Sequence, residues 1–424
     1  MDYQATGKEI VTKLSDFPLS TTLSSRLDRC FWALLAIYVW VLPVGGTTAV
    51  RNLAMAMLLV LVVVAIRHRE VWPSFPLRYP WLIYLVVATS TVFYALDPSY
   101  SMQEIRVEIF YPAAIFFITA TLIRSPGQWM RMAGLLLLGN TALAVFTIYT
   151  GVTGGTTKDG LVGSLNSGVG SYSTYVVTVL PFVAALGWTA WREERRLLAM
   201  GVALALAANL AALYFTLNRQ SFVALFAEVM VVALLVLVRG FTWKRAIAAV
   251  TIAALLATLV AFQVLHRAAP SSSTDASSVL QLETRQDSRW PVWKWIVADV
   301  AGNPWTGAGF GLRSFNLKYE GKVVFDGAFW HAHNMVLNKL VQMGVPGAVT
   351  FLCLFWAVPW CCRQGLGRGT AERTIALAVI AMAFGVFAKN MTDDFFTRDG
   401  ALLFWLLAGA SLGSLRHCMK EHAP

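Results

Sequence analysis

The chain has 424 residues, of which 57% are hydrophobic and only 13% charged, with a formal net charge of +11. Soluble chains carry about 25% charged residues; this composition, with a mean hydropathy of +0.60, argues against a soluble domain. The basic residues form short clusters between apolar runs instead of one patch, which argues against nucleic acid as a partner and fits membrane anchoring.

Apolar runs of about 20 residues, long enough to cross a bilayer, recur along the chain. Backbone groups in lipid must be satisfied internally, and the runs lack the two-residue alternation of a barrel strand. The sequence therefore predicts an all-α integral membrane protein with about twelve transmembrane helices. They are expected at roughly 30–46, 50–66, 80–96, 108–123, 130–151, 171–190, 196–217, 220–238, 245–264, 334–361, 373–390 and 399–415.

The first run follows Lys8, Lys13, Arg26 and Arg29 and lacks a small-residue cleavage site at its end, so it is expected to remain as a span. Lys and Arg then accumulate in alternate connections: Arg67, Arg69 and Arg78; Arg124 and Arg131; Arg192, Arg195 and Arg196; Arg239, Lys244 and Arg245; Arg363, Arg368 and Arg373; Arg416 and Lys420. The intervening connections hold only one or two each: Arg51, Arg106, Lys158, Arg219, Lys389 and Arg398. Positive charge marks the cytoplasmic side, so both termini are expected in the cytoplasm. The five cysteines, Cys30, Cys353, Cys361, Cys362 and Cys418, then lie in helices or on that side. No disulfide is expected, and their spacing is not that of a zinc site.

Three segments follow: helices 1–9 over 1–264, one large outer loop over 265–333, and helices 10–12 with the cytoplasmic tail over 334–424, acting as a single unit. Within the first, 151–170 is rich in Gly, Ser and Thr and reads as a flexible outer loop. The large loop opens on a polar stretch, after which Thr284–Val300 has amphipathic helical spacing, with Trp290, Val292, Trp293, Ile296 and Val297 on its apolar side. Its tryptophans suit a helix at the membrane interface. The spans carry almost no charge at their centres, and no internal repeat suggests an inverted-repeat transporter.

Three of the six histidines are expected outside: His266, His331 and His333. The last two precede Asn334, a helix-capping residue type that can also face a cleft. Neutral imidazole can take a proton from a sugar hydroxyl, so either is a candidate general base. Spacing of i, i+2 without nearby Cys or clustered carboxylates is poor zinc geometry, and no metal or other cofactor is expected. Among the outer arginines, Arg219 sits in a short turn where it has little use as a topology anchor. Arg289 opens the amphipathic stretch of the large loop, and Arg51 and Arg106 lie near outer span ends. Their guanidinium groups either snorkel or bind a phosphate or diphosphate bidentately. The Gly307–Gly311 string reads as a close-packed turn, Asn390-Met391-Thr392 as a poor glycosylation acceptor beside a span, and Asp393-Asp394 as a solvated helix start, with cation binding or support of the site as the alternative.

The order Leu217-Asn218-Arg219, Arg289-Trp290, Asn303 to Gly311, His331-Ala332-His333-Asn334 and Gly344-Val345-Pro346-Gly347 resembles the bacterial O-antigen ligase and polymerase superfamily. The likeness is closest over about 205–360. It implies a glycosyltransferase of GT-C type in the inner membrane, working on the periplasmic face. The reaction implied is transfer of an O-antigen glycan from undecaprenyl diphosphate to lipid A–core oligosaccharide, completing lipopolysaccharide. By the same resemblance His333 is the catalytic His before Asn, and Arg219 and Arg289 are the family's arginines. The turn reads Asn218-Arg219 where the family often has Ser-Arg, and His331 is an imidazole that the family pattern does not require. O-antigen polymerase and protein O-oligosaccharyltransferase use the same scaffold; a lipid-linked glycan transporter is the reading from another class.

Overall fold

The computed structural model describes residues 23–153, 168–216, 218–239, 289–319 and 331–421, with single positions between 242 and 258. Most of the expected span at 245–264, His266, most of the 151–170 loop, the polar opening of the large loop and the basic N-terminal cluster before residue 23 lie outside them.

The described residues are helical, without strands. In chain order the helices are α1 (Ser25–Val41), α2 (Thr48–Arg67), α3 (Arg78–Ser90), α4 (Pro98–Ile105), α5 (Tyr111–Leu122), α6 (Pro126–Val152), α7 (Val169–Arg192), α8 (Arg196–Phe215), α9 (Arg219–Arg239), α10 (Arg289–Gly302), α11 (Arg313–Tyr319), α12 (Met335–Cys362), α13 (Thr370–Asn390) and α14 (Arg398–Glu421). Eight helical runs among the described residues are long and apolar enough to cross a membrane: α2, α4 through α5, α6, α7, α8, α9, α12 and α13. The other expected spans that are described correspond to α1, α3 and α14. Leu53, Val60, Val63, Leu204 and Leu234 are exposed along the spans, as lipid-facing side chains are.

Local chemistry explains the helix ends. Ser125 and Gln128 form a reciprocal capping box at the start of α6, with Pro126 in its first turn. Asp97 caps α4 by accepting the Tyr100 N–H. The expected span at 108–123 proves longer, because α4 and α5 form one run joined by a π turn at Arg106–Phe110. Pro112 has no N–H to offer the Glu108 carbonyl, so wider hydrogen bonding is the local solution. Arg106, expected in a connection, is therefore an exposed residue of this run.

Helix α14 lies at the centre, with every residue from Ala401 to Leu415 buried. Gly409 and Gly413, four apart, face the α5 backbone so closely that a Cβ on either would collide with carbonyl oxygens there. Thr119 Oγ1 bonds to the Leu406 carbonyl across this contact at 3.0 Å.

Helix α12 is broken at Gly344, whose φ of 69° puts it in the left-handed region that glycine adopts without penalty. Pro346 cannot bond to the Gln342 carbonyl. Instead Gly309 N–H donates to Gln342 O at 3.1 Å, Ala308 N–H to Val341 O at 2.8 Å, and Val345 N–H to Pro304 O at 2.8 Å. A Cβ at Gly307 would meet the Gln342 backbone. The glycine string is thus a close-packed turn strapped across a broken helix, as its sequence context suggests.

The near absence of charge inside the spans does not hold. Glu228 is buried within α9, and Lys339 of α12 meets Glu108 of the π turn at 3.3 Å, both side chains 6% exposed. Lys339 also donates to Gln342 Oε1 at 3.0 Å and stands 4.6 Å from the centre of the Phe310 ring. Lys339→Met leaves Glu108 buried without its counter-charge, and is expected to destabilise the fold by about 3–5 kcal/mol. Lys339→Met with Glu108→Met should recover much of that loss. Thermal unfolding in detergent checks both, and an unchanged melting temperature for Lys339→Met would count against the pair.

Candidate active site

The site is built where α12 begins, α13 ends, and α9 and α10 begin. Asn334 caps α12: its side-chain oxygen accepts the N–H groups of Val336 at 2.9 Å and Leu337 at 3.0 Å. Its amide donates to the Met391 carbonyl at 2.9 Å. One turn later Asn338 accepts the Ala332 N–H at 2.8 Å and donates to Asp394. Five bonds from two asparagines thus hold both the approach to α12 and the 391–394 segment in place.

Between these anchors lies the His pair. His333 has φ 50°, uncommon for a residue with a side chain. Its Nδ1 is 3.0 Å from Asp393 Oδ1, and its backbone N–H donates to Nδ1 of His331 at 3.0 Å. The rings are neighbours, with centres 4.1 Å apart. Burial opposes the charge on Asp393, but the His333 hydrogen bond and the Lys389 charge outweigh it, and its pKa lies below the usual value. Burial pushes the His331 pKa down, against the pull of Asp394, so the neutral ring is favoured.

The starts of two further helices reach the same segment. Arg289, at the start of α10, donates to the Thr392 carbonyl at 2.6 Å. Gln220, next to Arg219 in the first turn of α9, donates to the same oxygen at 3.3 Å. Lys389 is fully buried at the end of α13; its Nζ makes no hydrogen bond among the described residues and lies 5.3 Å from the Phe395 ring centre.

Of the residues singled out from sequence, His331, His333, Asn334 and Arg289 are brought to this one segment, and Arg219 precedes Gln220 in the first turn of α9. Arg51 is buried in the first turn of α2 and paired with Asp399 at the start of α14. Arg106 lies beside Ser99, Met102, Gln103 and Phe110 on an open depression.

Three expectations need correction. Asp393-Asp394 is not a solvated helix start: α14 begins only at Arg398, and both carboxylates are drawn inward by His333 and Asn338. The buried stripe of α10 is Val292, Ile296 and Val300, while Trp290 and Val297 face outward. A four-residue step keeps that stripe on one side, and Trp293 is held by its indole N–H on the Ala332 carbonyl at 2.7 Å. The third concerns carboxylates near the histidines. His331, His333 and Asp393 each bring a potential ligand atom within 4.8 Å of the others, a cluster that could hold a metal ion. Nδ1 of each imidazole already has a partner there. The sequon reading fares better, since Asn390 is buried and bonded to the Val386 carbonyl and the Phe395 N–H.

Residues 202–352 match the family described as O-antigen ligase. The match supports an O-antigen ligase family member. No curated protein matches the chain. The segment matched to the O-antigen ligase family runs from α8 into α12 and contains Arg219, Arg289, His331, His333 and Asn334. Asp393 and Lys389 fall beyond it. With the long apolar helices, the family supports a multi-pass membrane glycosyltransferase of O-antigen ligase or polymerase type.

In the sequence the aspartates read as a pair at a span end that could bind a cation or support the site, with a solvated helix start preferred. Their pairing with His333 and Asn338, about 60 residues earlier in the chain, has no local signal.

Proposed function

We propose that this protein is an inner-membrane O-antigen ligase, transferring a glycan from undecaprenyl diphosphate to lipid A–core oligosaccharide at the periplasmic face. The observation that carries this reading is the bond between His333 and Asp393 beside the segment that Arg289 and Gln220 grip.

A carboxylate accepts hydrogen bonds, so neutral His333 carries its proton on Nδ1, toward Asp393. That leaves a lone pair on Nε2, which makes His333 the general base. It removes the proton from the acceptor hydroxyl as that oxygen attacks the anomeric carbon. The bond from this carbon to the diphosphate oxygen breaks, and its electron pair leaves with the diphosphate. A single displacement inverts the anomeric centre. Asp393 orients the ring and stabilises the imidazolium that forms. Arg219 and Arg289 meet the charge growing on the leaving diphosphate, which they favour more in the transition state than in the ground state. The donor carries its own activation, so the reaction draws on no nucleotide. Orientation follows from the distribution of Lys and Arg, with both termini cytoplasmic.

Diphosphate neutralisation by guanidinium groups supports metal-independent transfer. The test is reconstituted transfer from purified undecaprenyl-diphosphate glycan to lipid A–core, with and without a chelator. Transfer that survives chelation is the expected result. Abolition by chelator and rescue by added divalent cation would instead put a metal on His331, His333 and Asp393. Lengthened donor chains would indicate a polymerase, glycan on a protein an oligosaccharyltransferase, and donor left unconsumed a transporter.

A further inference from the structure

The two imidazoles stand side by side yet present opposite chemistry. The backbone N–H of His333 points at Nδ1 of His331 at 3.0 Å, and a backbone N–H can only donate. A proton on that nitrogen would set two donors against each other, so His331 is neutral and carries its proton on Nε2. Burial of the ring favours the same neutral form. His333 has the reverse arrangement, with Nδ1 committed to Asp393. One ring thus offers a lone pair at its far edge and its neighbour offers an N–H.

The position of that donor follows from the stereochemistry of the reaction, and here the argument rests on His333 being the base. In an inverting displacement the nucleophile and the leaving group lie on opposite faces of the sugar. With ring centres 4.1 Å apart, His331 shares the nucleophile's side with the base, away from the diphosphate. We infer that His331 forms part of the acceptor subsite, donating its Nε2–H to an oxygen of the acceptor sugar and aligning the attacking hydroxyl with His333. It is a positioning residue for the acceptor and contributes nothing to the diphosphate.

His331→Asn separates this role from a purely structural one. An Asn side-chain oxygen accepts the N–H two residues on, the Asx turn, so it preserves the bond that His331 makes to His333. It is too short to put a donor where Nε2 stands. Loss of one neutral hydrogen bond should raise the KM for lipid A–core by about 3–10-fold, with the KM for the undecaprenyl-diphosphate donor unchanged. A His331→Asn enzyme with wild-type KM for both substrates would reduce His331 to a turn residue and overturn the inference. A rise confined to the donor KM would move it to the leaving-group side and overturn it equally. Failure of the base assignment reads differently, as retained turnover in His333→Ala; absence of any transfer to lipid A–core by the wild type would overturn both.

Discussion

His333→Ala is expected to lower the turnover of glycan transfer by about 10²–10⁴-fold, the usual worth of a positioned general base. Its effect on the donor KM should be small, because the ring contacts the acceptor side. Asp393→Asn tests the same dyad from behind. The amide oxygen can still accept from Nδ1, but the negative charge that supports an imidazolium is gone, so the loss should be real yet smaller than for His333→Ala. Asp393→Ala, which frees the ring to rotate, should fall further than Asp393→Asn. Rates are measured in proteoliposomes with both lipid substrates, alongside thermal unfolding to confirm that each variant is folded. A folded His333→Ala protein retaining more than about a tenth of wild-type turnover would exclude His333 as the base.

Arg219→Ala is expected to cost about 10²–10³ in turnover, comparable to removing one donor that stabilises developing negative charge. Arg289→Ala should cost at least as much, since the same guanidinium also holds the Thr392 carbonyl, one residue from Asp393. A second measurement checks that structural role: Arg289→Ala should also lower the unfolding temperature, because its bond to the Thr392 carbonyl is lost. Lysine at either position should rescue poorly, because an ammonium cannot make the paired, planar contacts of a guanidinium with a diphosphate. Full rescue by lysine would mean that the positions supply only charge.

Much of this was readable along the chain. The eight described runs able to cross a membrane coincide with expected spans, because a run of about 20 apolar residues has few other stable fates. The cap at Asn334 and the glycine turn were equally local. Span lengths were less so: the π turn lengthened one run, since a proline's missing N–H acts on a carbonyl one turn earlier. The apolar side assigned to α10 included Trp290, which is 58% exposed. Hydrophobicity alone could not say which face meets protein, because near a membrane an outward tryptophan is as well placed as an inward valine.

The sequence by itself determined an all-helical fold with long apolar helices, the candidate bases and the candidate phosphate-binding arginines, since each depends on residue type and spacing within one segment. Only the tertiary structure decided that Asp393 bonds to His333. It also decided that Lys339 and Glu108 meet inside the bundle. Those pairings join residues some 60 to 230 positions apart. They arise because helix packing brings distant ends together, and a buried charge costs least beside a partner that the packing supplies.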